Sequence, residues 1–209
     1  MKDITILENF INDEELEEAR QFIGEQSPNL DNKVYGENDP SLNRQWYFLP
    51  KENVYKKILI DLRPDRSWPY DMENLIPSVK NFILKIQNRI DKCTNTTFKL
   101  ERVYLNRQVH GQDVTLHIDD KKPNGYTFLI YIGDITPENY DKAGGDLEFE
   151  NKENTSIEPF TKRAVLFKGC IPHKAYGPLV PDITRISFAF KLIDTSIKYI
   201  KYPFFVNYS

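Results

Sequence analysis

The apolar residues of this chain change their spacing once, near Asn95, and that change limits the fold more than any other feature. Before it they recur at helical spacing. Leu16, Ala19, Phe22 and Ile23 make one stripe, and Val79, Phe82, Ile83, Ile86 and Ile90 make a second. Asn12 and Glu15 stand in capping-box relation, so a first helix is expected near 13–24. Pro77 suits the first position of a second helix. After Asn95 the period falls to two, and strands are expected at 98–106, 114–118, 126–133, 146–150, 162–168 and 183–192. Turn signals separate them at Pro123-Asn124-Gly125, Ala143-Gly144-Gly145, Lys168-Gly169 and Gly177-Pro178. Thr5 to Leu7 offers one more short strand. Helices first and short, closely spaced strands afterwards predict an α+β chain, mainly β, arranged as a sandwich or jelly roll with flanking N-terminal helices.

The 209 residues suit one domain, 1–209, with a helical and loop-rich part over 1–95, a strand-rich core over about 96–195 and a tail over 196–209. Thirteen Phe and twelve Tyr fit a sheet-rich interior. From Gly24 to about Asp71 the chain is polar and Pro-rich, broken by Gln45 to Leu49, and reads as a lid or binding loop. Trp46, Tyr47, Trp68 and Tyr70 are its candidate covering residues, and the aromatic tail from Tyr199 to Tyr208 is a candidate last strand or cover. A net charge of −3 carries no global basic signature and argues against a nucleic-acid partner. Cys93 and Cys170 stand far apart, as a reducing compartment allows. No apolar run approaches the roughly 20 residues of a membrane span, and no signal-peptide core follows Met1. The expectation is a cytoplasmic protein with no membrane partner, bacterial or, if viral, in the host cytoplasm.

Two of the three histidines fall in one pattern. His117 and Asp119 lie on a strand-like segment, where positions i and i+2 share a face, so both can reach one metal while Asp120 points away. His173 follows a later apolar strand and a turn. Two imidazoles and a carboxylate are the donors of the facial triad of non-haem Fe(II) oxygenases. The same donors also bind Zn²⁺, which leaves a hydrolytic metal site open. Arg185 and Ser187 share a face of the last long strand; a guanidinium with a neighbouring hydroxyl can anchor a carboxylate.

These residues resemble the prolyl-4-hydroxylase-like branch of the 2-oxoglutarate- and Fe(II)-dependent dioxygenases. The likeness runs from Val103-Tyr104-Leu105-Asn106 through His117-Ile118-Asp119 and Tyr126 to Tyr131. It continues through Gly144-Gly145-Asp146-Leu147-Glu148-Phe149, Val165-Leu166-Phe167 and Pro172-His173 to Thr184-Arg185-Ile186-Ser187-Phe188. It covers a little under half of the chain, roughly Arg102 to Leu192. The opening, Ile6 to Ile11 before an acidic helix, is similar too. The resemblance implies a double-stranded β-helix. It implies Fe(II) on His117, Asp119 and His173, with 2-oxoglutarate and O₂ as co-substrates and ascorbate as an accessory reductant. It further implies that Arg185 binds the distal carboxylate of 2-oxoglutarate. Tyr131 matches a family tyrosine whose hydroxyl meets that carboxylate. Tyr104 matches a second pocket tyrosine, although the loop from it to His117 is longer than usual. Ser187 completes an Arg-x-Ser pair seen in other branches.

The implied activity is hydroxylation of an unactivated carbon, with a prolyl residue of a peptide or protein as the substrate nearest by analogy. A free amino acid, another small molecule or a nucleobase remains an alternative target, and a non-catalytic binding module on the same fold is a third class. Asn106 is a candidate pocket residue. His110 reads as a surface histidine, and Cys170 as a small buried filler. Oligomeric state has no signature in the sequence.

Overall fold

The structure, a computed structural model, describes residues 2–24, 55–61 and 77–196. In chain order the elements are β1 (Ile4–Leu7), α1 (Asp13–Gly24), β2 (Tyr55–Asp61), α2 (Pro77–Thr94), β3 (Phe98–Gln108), β4 (Gly125–Tyr131), α3 (Tyr140–Ala143), β5 (Leu147–Phe149), β6 (Ser156–Ile157), β7 (Ala164–Lys168), β8 (His173–Ala175) and β9 (Arg185–Asp194). Among the described residues no helix is long and apolar enough to cross a membrane.

The two long helices begin as their sequences dictate. The Asn12 N–H donates to Glu15 Oε2 at 3.1 Å, and the Glu15 N–H donates to Asn12 Oδ1 at 2.8 Å, closing the expected capping box. Pro77 opens α2, where its missing N–H leaves no intrahelical bond unmade. Val79, Phe82, Ile83, Ile86 and Ile90 are its buried stripe, as their spacing predicts. Asn95, at φ 51°, ends the helix in the left-handed conformation that Asn tolerates.

The strands form two antiparallel sheets. The larger has the order β1-β7-β4-β9-β3-β2 and the smaller the order β6-β5-β8. Side chains of the larger sheet alternate between two cores. Phe128, Ile130, Phe188, Phe190 and Leu192 face the helices, where Phe82 meets Phe22 and Phe188 with ring centroids 5.4 Å apart. Leu129, Tyr131, Val165, Phe167 and Ala189 face the smaller sheet and pack on Leu147, Phe149 and Ile157. The result is a mainly β double-stranded β-helix whose larger sheet is covered by helices.

Three expectations are corrected. The segment 114–118 is not a strand; only His117 pairs, through two 2.9 Å backbone bonds with His173. His173 follows a turn, as expected, and opens β8: its N–H and carbonyl both bond to His117, and Phe149 of β5 is its register partner on the other side. The polar stretch 24–71 contains β2, an edge strand on β3, where only one side needs a bonding partner. The short elements β6 and α3 were not foreseen, since two and four residues are too few to show a period. The candidate cover formed by Trp46, Tyr47, Trp68 and Tyr70, and the tail from 199, lie outside the described residues.

Glu15 does more than cap α1. Its carboxylate also accepts from Arg89 of α2, Nη2 to Oε1 at 2.5 Å and Nη1 to Oε2 at 2.9 Å. The Arg89 guanidinium, aided by the Asn12 cap, holds the carboxyl down at about 2 from an ordinary 4.5. A carboxyl depressed in the folded state stabilises fully above its unfolded pKa, and that stability is lost as pH falls from 4.5 toward 2. Arg89 is partly exposed, so solvent screening reduces the effect to about 1–2 kcal/mol. Urea unfolding of wild type and Glu15→Gln at stepped pH should show the wild-type advantage shrinking by that amount across this window. An advantage independent of pH would remove Glu15 as its source.

Candidate active site

Three donors meet between the sheets. His117 is held by its backbone bridge to β8, His173 by β8 itself, and Asp119 by its N–H bond to the Gly169 carbonyl at 2.8 Å. One ligand atom from each of His117, Asp119 and His173 lies within 4.8 Å of the others. His117 Nε2 is 3.7 Å from Asp119 Oδ1, and His173 Nε2 is 3.4 Å from Asp119 Oδ2. Each imidazole donates Nδ1–H to the carbonyl two residues before it, Thr115 and Ile171, both at 2.8 Å. That bond fixes the tautomer and puts the ring's lone pair on Nε2. Asp120 turns away, accepting from the Lys122 N–H at 2.9 Å.

The local electrostatics favour ligation. Burial and the adjacent His173 push His117 down to about 4, so it is neutral at physiological pH. Burial alone would raise the Asp119 carboxyl. The Lys191 ammonium and the two imidazoles outweigh it and hold Asp119 well below the usual carboxylate range. Two imidazole nitrogens and one ionised carboxylate oxygen, all largely buried, fit a divalent transition metal.

A second centre lies along β9. Its inward row reads Arg185, Ser187, Ala189 and Lys191, all buried. Register sets Gln108 beside Arg185, Asn106 and Tyr131 beside Ser187, Tyr104 and Leu129 beside Ala189, and Thr127 beside Lys191. Arg185, 3 % exposed, donates to Gln108 Oε1 and, at 3.4 Å, to the Tyr131 hydroxyl. Gln108 is itself anchored by a 2.8 Å bond to the Gln112 carbonyl. Among the described residues no carboxylate pairs with Arg185, and Arg185 Nε and Ser187 Oγ have no hydrogen-bond partner. A buried cation without a counter-charge is costly unless an anion completes it.

Two glycines lie close to the start of β9. A Cβ at Gly145 would stand 3.6 Å from Arg185 Cδ, and its φ of 92° is one that glycine adopts freely. A Cβ at Gly133 would stand 2.4 Å from the Thr184 carbonyl oxygen and 2.7 Å from the Ile186 nitrogen.

The expected set is therefore brought together in two groups: His117, Asp119 and His173 in one, Arg185, Tyr131 and Ser187 in the other. Tyr104 packs in the same interior, 5.7 Å from Lys191 Nζ to ring centroid. His110 is exposed, its Nδ1 bonded to the Pro178 carbonyl at 3.1 Å, and belongs to neither group. Cys170 is exposed and not the buried filler expected, because it lies in the turn before β8. Sequence reasoning missed Gln108, Thr127 and Lys191. Parity could have found them: Gln108 shares a face with Tyr104 and Asn106, Thr127 with Tyr131, and Lys191 with Arg185 and Ser187.

No family model matches this sequence, and no curated protein does. Solved structures do match in fold. A prolyl hydroxylase from Trichoplax adhaerens, in complex with a hypoxia inducible factor oxygen degradation domain peptide fragment, aligns at TM-score 0.57 and 18% identity, over 93% of this chain and 84% of that one. The viral collagen prolyl hydroxylase of Paramecium Bursaria Chlorella virus-1, in its 2OG complex, aligns at 0.58 and 16%, over 91% and 96%. HygX from Streptomyces hygroscopicus, with nickel, 2-oxoglutarate and hygromycin B bound, aligns at 0.58 and 13%, over 92% and 83%.

Gly133→Ala should cost about 1–3 kcal/mol, since the added methyl enters space held by backbone. Urea denaturation measures it, and an unchanged midpoint would mean that this approach to β9 is looser than described. The likeness to known structures is one of fold: this chain is a double-stranded β-helix built like the prolyl hydroxylases and other 2OG-Fe(II) oxygenases.

Proposed function

We propose that the whole chain acts as one oxygenase domain that uses Fe(II), 2-oxoglutarate and O₂. The observation that carries this reading is Arg185. A buried guanidinium with no carboxylate among the described residues, flanked by the Tyr131 and Ser187 hydroxyls, calls for an anionic ligand. It shares an interior with three metal donors. A bare zinc hydrolase would leave that cation without a purpose.

In this reading His117, Asp119 and His173 hold the iron through Nε2, a carboxylate oxygen and Nε2. Arg185 takes the distal carboxylate of 2-oxoglutarate by charge-assisted hydrogen bonds, with Tyr131 and Ser187 adding hydroxyls. Gln108 orients the guanidinium. Tyr104, Leu147, Phe149 and Phe167 form a wall that limits water. The iron and co-substrates, when bound, supply oxidative decarboxylation to succinate and CO₂ coupled to insertion of oxygen into a C–H bond. Ascorbate would serve as an accessory reductant. Free, exposed Cys93 and Cys170 fit a reducing compartment such as the cytoplasm.

The proposed substrate is a prolyl residue of a peptide or protein, a reading supported by the prolyl hydroxylases among the structures of the same fold. A small molecule is the second reading, favoured by the hygromycin-bound structure of similar fold. A panel of peptides with and without proline, read by mass for the gain of one oxygen atom, separates the two. Activity on no peptide, but on a free metabolite, selects the second.

Succinate release with Fe(II) and 2-oxoglutarate tests the chemistry. His117→Ala should abolish it, and equal release by wild type and variant would sink the site assignment. Arg185→Leu should raise the KM for 2-oxoglutarate by roughly tenfold or more, because truncation removes a charged hydrogen-bonding partner. An unchanged KM would reassign Arg185 to folding.

A further inference from the structure

Lys191 is the buried cation of β9 that neither the fold nor the co-substrate accounts for. Its neighbours along the strand, Phe190 and Leu192, are core residues, and Ala189 shows how small a residue this inward row accepts. Its ammonium pairs with Asp119 Oδ2 and donates to Thr127 Oγ1 at 2.8 Å. The Thr127 hydroxyl in turn donates to the same Oδ2 at 2.7 Å. These roles are mutually consistent: Thr127 accepts from the lysine and donates to the carboxylate. Thr127 and Lys191 stand directly opposite in the β4–β9 register, so the arrangement is set by the sheet. Oδ2 therefore receives two donors, the lysine and the threonine hydroxyl, and lies 3.4 Å from His173 Nε2. Oδ1 accepts none among the described residues and lies 3.7 Å from His117 Nε2.

We propose that Lys191 is a positioning residue of the metal centre: it ties Oδ2 of Asp119, so that the carboxylate meets a metal through Oδ1 alone, and its charge lowers the affinity of the site for a divalent cation. This rests on the reading of His117, Asp119 and His173 as metal ligands. The protein then offers the metal two neutral imidazoles and a carboxylate whose charge is already cancelled by an ammonium. A cation held in such a site keeps more of its own charge for an anionic ligand.

The test is titration of the full-length, metal-free protein with Co(II) under anaerobic conditions, by calorimetry and by visible ligand-field absorption. Lys191→Met removes the charge. Lys191→Gln removes it but retains a donor for Thr127 and Asp119, and carries the test if the methionine variant does not fold. Lys191→Arg restores the charge. Both neutral variants should bind Co(II) more tightly than wild type, by roughly tenfold or more, because a like charge beside the metal is gone. In Lys191→Met the absorption bands should shift as the carboxylate loses the ammonium that ties Oδ2, and the metal-free neutral variants should melt earlier. Lys191→Arg should bind Co(II) with an affinity near that of wild type. Neutral variants that bind Co(II) no more tightly, with unshifted bands, would overturn the proposal and leave Lys191 a packing residue. A wild-type protein that takes up no Co(II) would instead overturn the metal site itself.

Discussion

Everything at the candidate site hangs on β9 being hydrogen-bonded along both edges. It pairs with β3 from Phe98 to Gln108 on one side and with β4 from Gly125 to Tyr131 on the other. A strand gripped this way cannot slip by one residue without turning Phe188, Phe190 and Leu192 away from the helices and Arg185, Ser187 and Lys191 into them. The apolar cost of that slip is what holds the polar row inward. Helix packing on one face of the sheet thus fixes the chemistry on the other.

The two buried cations of β9 are handled differently. Lys191 has a carboxylate, a hydroxyl and a short path to the metal donors. Arg185 has an amide and a phenol, but no carboxylate among the described residues. The first arrangement is complete within the protein; the second is the one that the proposed anionic co-substrate would complete. In that reading the asymmetry separates groups that shape the site from groups that receive a ligand. His117 and Asp119 come from a loop, and His173 from a three-residue strand to which His117 is bridged.

The short elements around His173 show what local sequence could not convey. Three residues in β8 and two in β6 have no readable period, and 114–118 has the alternation of a strand but makes only one paired position. Whether such a segment pairs is decided by the partner that reaches it. β2 lies in a stretch whose polarity reads as loop, because an edge strand tolerates such a sequence. Where the pattern is long and one-sided, reading and structure agree: the cap at Asn12 and Glu15, the buried stripe of α2, and β3, β4 and β9 to within two residues at each end.

By itself the sequence determined that capped helices precede a run of short strands, which helix face is buried, and the candidacy of His117, Asp119, His173 and Arg185, because these follow from chain-local spacing and donor chemistry. Tertiary structure alone decided that Gln108 would steady Arg185, that Arg185 would lack a carboxylate partner among the described residues, and that Lys191 and Thr127 would share one oxygen of Asp119. Each of these depends on register between strands distant in the chain, and register is set by the burial of whole sheet faces, which no single segment contains.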